Sequence, residues 1–324
     1  MRSNNGRPRS AWLLAAVMFA IVPPAPAQVA YVSDEEADVV HVIEAPRWEV
    51  ADSIPVGKRP RGMRLDSTGR RLYVAASEDN RIDVVDLATR KVVDTLPSGP
   101  DPERFVVSPD GKWLYIANED DNKVSFLDIA AKRIVREVEV GAEPEGMAVS
   151  PDGRWIICTS ESASLVHFID AATGELVDNQ LVGTRPRDAV FNAAGDRLWV
   201  SSETRATVSV FEMPSRRLLH TIDLDREADA PPTVQAVEMV LGRRAFVALG
   251  RGNQVAEIDP RDYRVLRWFP VGFRNWGLGA DPSQRYLFAA AGLSGDVTVV
   301  DLRRNAVVAT IRTGGKPWGV VVVP

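Results

Sequence analysis

The sequence contains few of the side chains that usually carry catalysis or bind metals. It has three histidines and one cysteine. Cys158 lies in the apolar run WIICTS and has no partner for an intrachain disulfide, so we expect a buried, inert thiol. The histidines fall in the predicted third or fourth strands of separate repeats, which predicts neither a histidine metal site nor a Ser-His-Asp triad. They are His41, His167 and His220.

Cofactor motifs and long membrane spans are also missing. No CxxCH motif is present, which excludes covalently attached haem. The GRGN segment at 250–253 is not followed by a helical pattern, so it is not a phosphate-binding loop. We therefore expect no cofactor and no bound metal. The apolar run at 11–22 falls short of the ~20 residues that span a bilayer.

That apolar run belongs to a predicted secretory signal. The residues before it include three arginines and no acid, and Ala25-Pro-Ala27 has the small-x-small form cut by signal peptidase. We predict cleavage after Ala27, a periplasmic protein, and no membrane span after cleavage. Removing residues 1–27 deletes three arginines, so the formal charge changes from −5 to −8. This acidic balance disfavours nucleic acid as a partner.

The chain does contain one unit that is repeated along its whole length. Most of the glycines that open successive units are 42 residues apart, and one gap of 89 hides a further, irregular unit that starts near residue 232. Each unit has four short alternating apolar runs, punctuated by turns such as SPDG at 108–111. This pattern predicts four antiparallel strands per unit and is typical of a β-propeller blade. The opening glycines are Gly57, Gly99, Gly141, Gly183, Gly272 and Gly314.

The two ends of the chain complement each other. Residues 30–56 supply the second, third and fourth strands of a unit, and residues 314–324 supply only the first. We therefore predict an all-β, seven-bladed propeller that forms a single domain over residues 28–324. The C-terminal strand should enter the N-terminal blade, because such closure removes the exposed sheet edge of an open array.

The repeat motifs also resemble those of a known family. LYVAAS, LYIANE and LWVSSE each follow an SPDG-type turn and precede a third-strand run, as in the YVTN-type β-propeller repeat, and the resemblance covers residues 30–324. The exported seven-unit layout is similar to the periplasmic β-propeller proteins associated with pyrroloquinoline quinone-dependent alcohol catabolism. The resemblance implies a setting in alcohol oxidation or associated transport. We predict a non-catalytic binding or accessory protein that recognises its partner at the mouth face. Its partner would be a quinoprotein dehydrogenase, a transport component or a small ligand.

The repeats differ from one another at the predicted mouth of the propeller. There the loop entering each first strand and the loop between the second and third strands open on the same face. The fourth position after the opening glycine is occupied by Arg61, Glu103, Glu145, Arg187, Trp276 and Trp318, with Gln235 as the candidate in the irregular unit. Two positions earlier stand Arg59, Asp101, Glu143, Arg185, Arg274 and Lys316. The second loop carries Glu35, Ser77, Glu119, Glu161, Glu203, Gly250 and Gly292.

These positions support two interpretations. The glutamates can be repeat-consensus residues that bond local backbone amides, and the tryptophans can be a packed plug in the channel. Alternatively, an acidic side formed by the units at 99–140 and 141–182 faces a basic, tryptophan-bearing remainder, and together they bind a ligand or partner. The second interpretation predicts as binding residues Arg61, Glu103, Glu145, Arg187, Trp276, Trp318, Glu119, Glu161 and Glu203.

Two further alternatives stay open. A lactonase-like hydrolase could use the mouth carboxylates, with or without a divalent metal. The insert DREADAPPTVQ at 225–235 is the only loop out of register, so we expect it to project from the mouth face as a lid or docking loop. The alternative explanation is a tolerated surface insertion.

Overall fold

The structure, a computed structural model that describes residues 28–323, is a seven-bladed β-propeller. Each blade is a four-stranded antiparallel sheet, so the predicted all-β class and blade number are confirmed. The predicted signal at 1–27 lies outside the described residues. Within residues 28–323, no helix is long and apolar enough to cross a bilayer.

The strands follow the sequence repeat blade by blade. Blade I contains β1 (Val29–Asp34), β2 (Val39–Glu44) and β3 (Glu49–Pro55); blade II contains β4 (Pro60–Leu65), β5 (Arg71–Ala76), β6 (Arg81–Asp86) and β7 (Lys91–Pro97). Blade III contains β8 (Pro102–Val107), β9 (Trp113–Asn118), β10 (Lys123–Asp128) and β11 (Arg133–Glu139); blade IV contains β12 (Pro144–Val149), β13 (Trp155–Ser160), β14 (Leu165–Asp170) and β15 (Leu176–Leu181).

The remaining strands complete the ring. Blade V contains β16 (Pro186–Phe191), β17 (Arg197–Ser202), β18 (Thr207–Glu212) and β19 (Arg217–Asp223); blade VI contains β20 (Met239–Leu241), β21 (Ala245–Ala248), β22 (Gln254–Ile258) and β23 (Val265–Pro270). Blade VII contains β24 (Asn275–Ala280), β25 (Tyr286–Ala291), β26 (Asp296–Asp301) and β27 (Ala306–Arg312), and β28 (Pro317–Val323) follows it. Two 3-10 helices are Ser77–Asp79 and Leu224–Arg226.

The C-terminal strand closes the ring in the N-terminal blade, as predicted. The strand order of blade I is β28-β1-β2-β3, with Val320 opposite Val32. A side chain also stabilises this closure, because Ser33 Oγ of β1 accepts a hydrogen bond from the Gly319 amide of β28 at 2.9 Å. The four strands of blade I therefore come from both ends of the described chain.

The core is divided among the interfaces between blades. Seven clusters of buried apolar side chains lie one at each interface between neighbouring blades. At the closing interface, Phe288 of β25 packs in one cluster with Val320 and Val322 of β28. Cys158 is fully buried between blades III and IV, and burial raises the pKa of its thiol, as expected for an inert cysteine.

The first strand of most blades carries a bulge near its start. In β8, the pairing with β9 shifts register between Pro102 and Phe105, and β4, β12, β16, β24 and β28 have equivalent shifts. The inner strands also approach each other closely here. A Cβ at Gly319 would lie 2.7 Å from the carbonyl oxygen of Arg61, and one at Gly62 would lie 2.7 Å from that of Glu103. The channel is therefore narrow at this level.

Blade VI departs from the regular pattern. Its inner strand β20 begins at Met239 and is three residues long. The insert at 225–235 runs from the end of the outer strand of blade V and is mostly exposed. It lies beside the mouth-face loop of blade V, where Arg205 Nη1 is 3.7 Å from Asp225 Oδ2.

Candidate functional site

One end of the channel opens into a cavity of about 340 Å³. Its lining is six glutamates, six arginines and two tryptophans: Glu35, Glu119, Glu143, Glu145, Glu161, Glu203, Arg59, Arg61, Arg185, Arg187, Arg251, Arg274, Trp276 and Trp318. Eight of the nine predicted binding residues are in this lining. The ninth, Glu103, is fully buried behind Arg61. We call this space the mouth cavity.

On one side of the mouth cavity, two arginines bind acids from neighbouring blades. Arg61 of blade II forms an ion pair with Glu103 of blade III and another with Glu35 of blade I at 3.3 Å. Arg59 lies 3.2 Å from Asp101. Burial disfavours the charged guanidinium of Arg61, but the hydrogen bond to Glu103 and the negative charges of Glu103, Glu145 and Glu35 together outweigh burial and raise the Arg61 pKa.

On the other side, Arg187 and Arg185 share a second group of acids. Arg187 forms an ion pair with Glu161 and lies 2.8 Å from Glu145. Arg185 also pairs with Glu161, and its Nε is 3.5 Å from Glu203. In blades I to V, the expected separation into an acidic side and a basic remainder is replaced by ion pairs, because Arg59, Arg61, Arg185 and Arg187 reach carboxylates of their own or adjoining blades. The lining from blades VI and VII contains no glutamate.

The two tryptophans are packed among the arginines. Trp318 is 3% exposed and Trp276 is 8% exposed. The guanidinium of Arg61 lies 5.6 Å from the Trp318 ring centroid, and that of Arg104 lies 4.7 Å from it. Trp276 has Arg187 and Arg274 in equivalent positions, at 5.4 and 4.9 Å. Such cation–π contacts hold the guanidinium groups in fixed places at the cavity.

Glu119 is the mouth carboxyl with the most altered acidity. Burial raises the pKa of Glu119 to about 8, with further increases from a hydrogen bond to Glu103 and from the negative charges of Glu103 and Glu145. Its neighbour Glu103 accepts a hydrogen bond from Arg61. A pKa raised to about 8 favours a protonated Glu119 at neutral pH, at the edge of the mouth cavity.

One group of three carboxylates within residues 28–323 has the spacing of a cation site. Oxygens of Asp101, Glu103 and Glu119 lie within 4.8 Å of one another. Carboxylate oxygens suit Mg²⁺ or Ca²⁺. However, Arg59 lies 3.6 Å from Glu103 and Arg61 also contacts it, so positive charge already faces these oxygens. The donor set therefore fits a hard divalent cation poorly.

Below the cavity, an ion cluster that the sequence analysis missed crosses the channel. Arg104 of blade III reaches Glu238 of blade VI at 3.1 Å and lies 3.7 Å from Asp188 of blade V. The two acids also accept backbone amides of the next inner strands, Glu238 from Leu278 and Asp188 from Met239, both at 2.8 Å. Burial raises the pKa of Asp188 to about 6, although the charge of Arg104 opposes this shift.

A signal for part of this cluster is present in the repeat. The fifth position after the opening glycine is itself glycine in four copies, at Gly62, Gly146, Gly277 and Gly319. Blades III and V place Arg104 and Asp188 there instead. Because the bulge interrupts strand alternation, consecutive residues such as Glu103 and Arg104 both contact groups of the mouth and channel.

The irregular blade contributes to the rim through Gln235. Its Nε2 donates to Glu203 at 2.9 Å, and its Oε1 accepts the Arg251 amide at 3.0 Å. Gln235 is therefore close to the mouth, as the repeat alignment suggested. No residue of the insert at 225–235 lines the cavity itself, and Gln235, its last residue, is at the rim. The expected role of the insert as a lid or docking loop stays a prediction.

The histidines are dispersed through the outer parts of the blades. His41 lies in β2, 3.3 Å from Asp34, and His167 lies in β14, 2.8 Å from Ser160. His220 in β19 stacks on Tyr263, with ring centroids 5.1 Å apart. None of the three lines the mouth cavity. Acid–base chemistry in this cavity would therefore depend on its carboxyl groups.

Comparison with known proteins agrees with this fold. A family model, "YNCE-like beta-propeller", matches residues 35–150. No curated protein matches the sequence. The periplasmic gluconolactonase of Pseudomonas aeruginosa is 20% identical, with a TM-score of 0.77, covering 92% of this chain and 99% of its own.

Two further solved structures have the same architecture without a stated activity. A protein from Lactobacillus plantarum is 15% identical, with a TM-score of 0.78, covering 92% of this chain and 100% of its own. A protein of unknown function from Desulfotomaculum acetoxidans is 14% identical, with a TM-score of 0.77, covering 91% and 98% respectively. At these identities the likeness shows the β-propeller fold alone. None of these matches concerns alcohol catabolism.

Proposed function

We propose that the protein is a binding protein that holds a small polar ligand in the mouth cavity. The observation that carries this proposal is the lining: twelve of the fourteen residues around the cavity are charged. The volume of about 340 Å³ is in the range of small-molecule sites. Ligand hydroxyl, amine or acid groups would meet guanidinium donors and carboxylate acceptors that are already fixed in place. A sugar-sized ligand fits this description.

The fixed positions of the side chains support binding without a large rearrangement. Arg187 is held by Glu145, Glu161 and Trp276, and Arg61 by Glu35 and Glu103. Preorganised groups lose little side-chain entropy when a ligand arrives, which favours affinity. The proposed ligand is therefore recognised by hydrogen bonds to the ion-pair network rather than by an open aromatic face.

The test is a titration of the protein with three sugars of similar size: D-glucose, D-gluconate and D-glucosamine. We expect at least one to bind, and Arg185→Met to weaken that binding by about ten-fold, the value of one hydrogen bond to a charged group. Arg185 is 47% exposed, and Glu161 keeps Arg187 as a partner, so the variant should fold. The control, Arg261→Met, removes an 86% exposed arginine outside the cavity. Equal affinities in both variants, or no binding of any sugar, would contradict the proposal.

Hydrolysis of a sugar lactone is a second candidate, favoured by the protonated Glu119. Its proton would pass to the ring oxygen as the lactone C–O bond breaks, while a carboxylate such as Glu145 takes a proton from the attacking water. The likeness to a gluconolactonase fits this candidate, although it extends only to the fold. Faster hydrolysis of glucono-δ-lactone than in buffer, lost in a Glu103→Gln/Glu145→Gln double variant and in Glu119→Gln, would establish it.

The cellular setting is a separate proposal. Export to the periplasm depends on the predicted signal, and the link to a quinoprotein dehydrogenase or a transport component depends on the sequence resemblance alone. No side chain of the mouth cavity specifies a quinone. Capture of such a partner from a periplasmic extract by wild-type protein, and not by a Trp276→Ala/Trp318→Ala variant, would support a protein partner at the mouth.

A further inference from the structure

Two of the six arginines at the mouth cavity differ from the other four in their surroundings. Arg59, Arg61, Arg185 and Arg187 each have at least one carboxylate within 4.0 Å. Among residues 28–323, Arg251 and Arg274 have none at that distance. The positive charge of these two groups is therefore not neutralised locally, in a cavity where the other guanidiniums are paired.

The repeat explains why Arg274 has no acidic partner. The equivalent residue in blade V, Arg185, lies between Glu161 of the preceding blade and Glu203 of its own blade. For Arg274, the residues at the repeat positions equivalent to Glu161 and Glu203 are Gly250 and Gly292. Both second-loop glutamates that would neutralise Arg274 are thus replaced by glycine. The departure from the repeat affects one local charge and leaves the fold intact.

Arg274 is nevertheless held in place and incompletely bonded. Its guanidinium carbon lies 4.9 Å from the Trp276 ring centroid, and its backbone amide donates to Asn253 Oδ1 at 2.9 Å. Its side-chain Nε is buried and has no hydrogen-bond acceptor among the described residues. A buried donor without an acceptor is costly, so the Arg274 guanidinium has hydrogen-bonding capacity that none of the described residues uses at Nε.

Arg251 adds a second donor group next to Arg274. Both residues line the mouth cavity and also an adjoining open cavity of about 500 Å³, which contains Asn253, Phe273 and Leu293. Both arginines therefore border the two cavities, and a ligand can approach them from the mouth or from the open surface. Two arginines can bind one carboxylate or phosphate group through several parallel hydrogen bonds.

We infer that the ligand of the mouth cavity carries an oxyanion, a carboxylate or a phosphate group, and that Arg274 and Arg251 bind it. This inference rests on the proposed function and narrows its ligand class. The polar body of the ligand would occupy the mouth cavity, and its acid group would take the place that second-loop glutamates fill in blade V. Neutral sugars would lack this contact and bind more weakly.

The sharpest test restores the missing glutamate. Gly292→Glu places a carboxylate at the repeat position beside Arg274, and Gly292→Gln adds a side chain of the same size without charge. A Cβ at Gly292 would lie 3.4 Å from the Pro317 carbonyl oxygen, an ordinary contact, so the backbone at this position has room for the Cβ of either residue. Gly250 is less suitable, because its φ is +52° and its Cβ would lie 2.9 Å from Trp276.

Calorimetric titrations with D-gluconate, inorganic phosphate and D-glucose, at an ionic strength of about 0.01 M to limit screening, compare these variants with the wild type and Arg274→Met. We expect the wild type to bind D-gluconate and phosphate. Gly292→Glu and Arg274→Met should each weaken this binding by about ten-fold or more, and Gly292→Gln by less than about three-fold. Affinity for D-glucose should be similar in the wild type, Gly292→Glu and Gly292→Gln.

The outcomes separate this inference from the proposed function. If the wild type binds D-glucose but neither anion, or if Gly292→Glu binds anions as well as Gly292→Gln, the inference is wrong while the polar-ligand proposal stands. A third outcome is that the wild type binds phosphate but no sugar, and that Gly292→Glu no longer binds phosphate. This outcome would support the oxyanion site and contradict the proposal of a sugar-sized ligand. If Arg274→Met no longer binds phosphate but still binds D-gluconate, the carboxylate of D-gluconate binds at another place in the protein. That result would overturn the inference.

Discussion

Glu119 shows how much the neighbours of one side chain decide its chemistry. The same loop position holds Glu35, Glu161 and Glu203 in other blades, and each of these pairs with at least one arginine. Glu119 instead faces Glu103 and Asp101, which are other acids, and burial together with these acids raises its pKa to about 8. One copy of a repeated residue thereby becomes a proton donor at neutral pH.

This proton links Glu119 to the pH dependence of stability. Because its pKa is raised in the folded state, the folded protein keeps a proton that the unfolded chain releases near pH 4.5. The contribution of Glu119 to the free energy of unfolding is therefore full below about pH 4.5 and is lost as the pH rises to about 8. We expect Glu119→Gln to lose less stability than the wild type between these pH values, as measured by urea unfolding.

The matched control for this prediction is Glu175→Gln, which alters an exposed glutamate in an outer turn. Its unfolding free energy should follow that of the wild type across the pH range. Parallel curves for Glu119→Gln and the wild type would mean that Glu119 is ionised in the folded protein at neutral pH. A carbon NMR titration of labelled glutamate would then report the true midpoint.

The position of Glu119 could be predicted from the sequence, but its protonation could not. The 42-residue spacing placed it in the mouth loop with Glu161 and Glu203, and the structure finds all three in the cavity lining. Its pKa depends on which of the surrounding arginines turn toward which acids. This pairing of arginines with acids depends on contacts between side chains of different blades. A repeat alignment contains no information about such contacts.

At the scale of strands, stability is concentrated between blades rather than within them. Each sheet buries both faces against its neighbours, and each interface has its own apolar cluster. The outer strands contribute less, since β15 has an exposed leucine at Leu181 and a mostly exposed face. Removing a large side chain from an interface should therefore affect the whole protein.

We expect Phe288→Ala to lower the free energy of unfolding by about 3–5 kcal/mol, the usual cost of deleting a buried phenylalanine. Phe288 is fully buried in β25 and packs at the interface that the closing strand completes. Chemical denaturation followed by circular dichroism measures the change. Val93→Ala, at a 54% exposed position of β7, is the control and should stay within about 0.5 kcal/mol of the wild type.

The positions of the strands could be predicted from the alternation of apolar residues in the sequence. The directions in which side chains point at the bulges could not. An unbroken strand would turn Glu103 and Arg104 to opposite faces. The bulge in β8 brings both into the ion networks of the mouth and channel. Glu103 was therefore predictable from the repeat alignment, whereas Arg104, Asp188 and Glu238 were not. Glycine at the neighbouring repeat positions reflects the same close approach of the inner strands.

At the scale of the molecule, the ring is closed by one strand. β28 pairs with β1 and also packs against the inner strands on either side, β24 and β4. Without it, β1 would become an open edge and the apolar cluster that contains Phe288 would lose Val320 and Val322. An open propeller of this kind exposes both apolar surface and unpaired backbone groups.

Deleting residues 314–324 should consequently abolish the cooperative thermal transition of the protein or cause it to aggregate. A chain that lacks only Pro324 is the control and should melt like the full chain. Differential scanning calorimetry, with light scattering to detect aggregation, measures both proteins. A shortened chain with the melting temperature of the intact protein would show that closure by β28 is dispensable.

Closure of the ring by β28 also affects when the N-terminal blade can fold. β1 is the first described strand, and its partner β28 is separated from it by nearly the whole described chain, with Val32 opposite Val320. The N-terminal blade therefore has only three strands until β28 has been synthesised. Such long-range pairing slows folding, and a nascent chain stays incomplete, and recognisable to chaperones, until β28 has emerged.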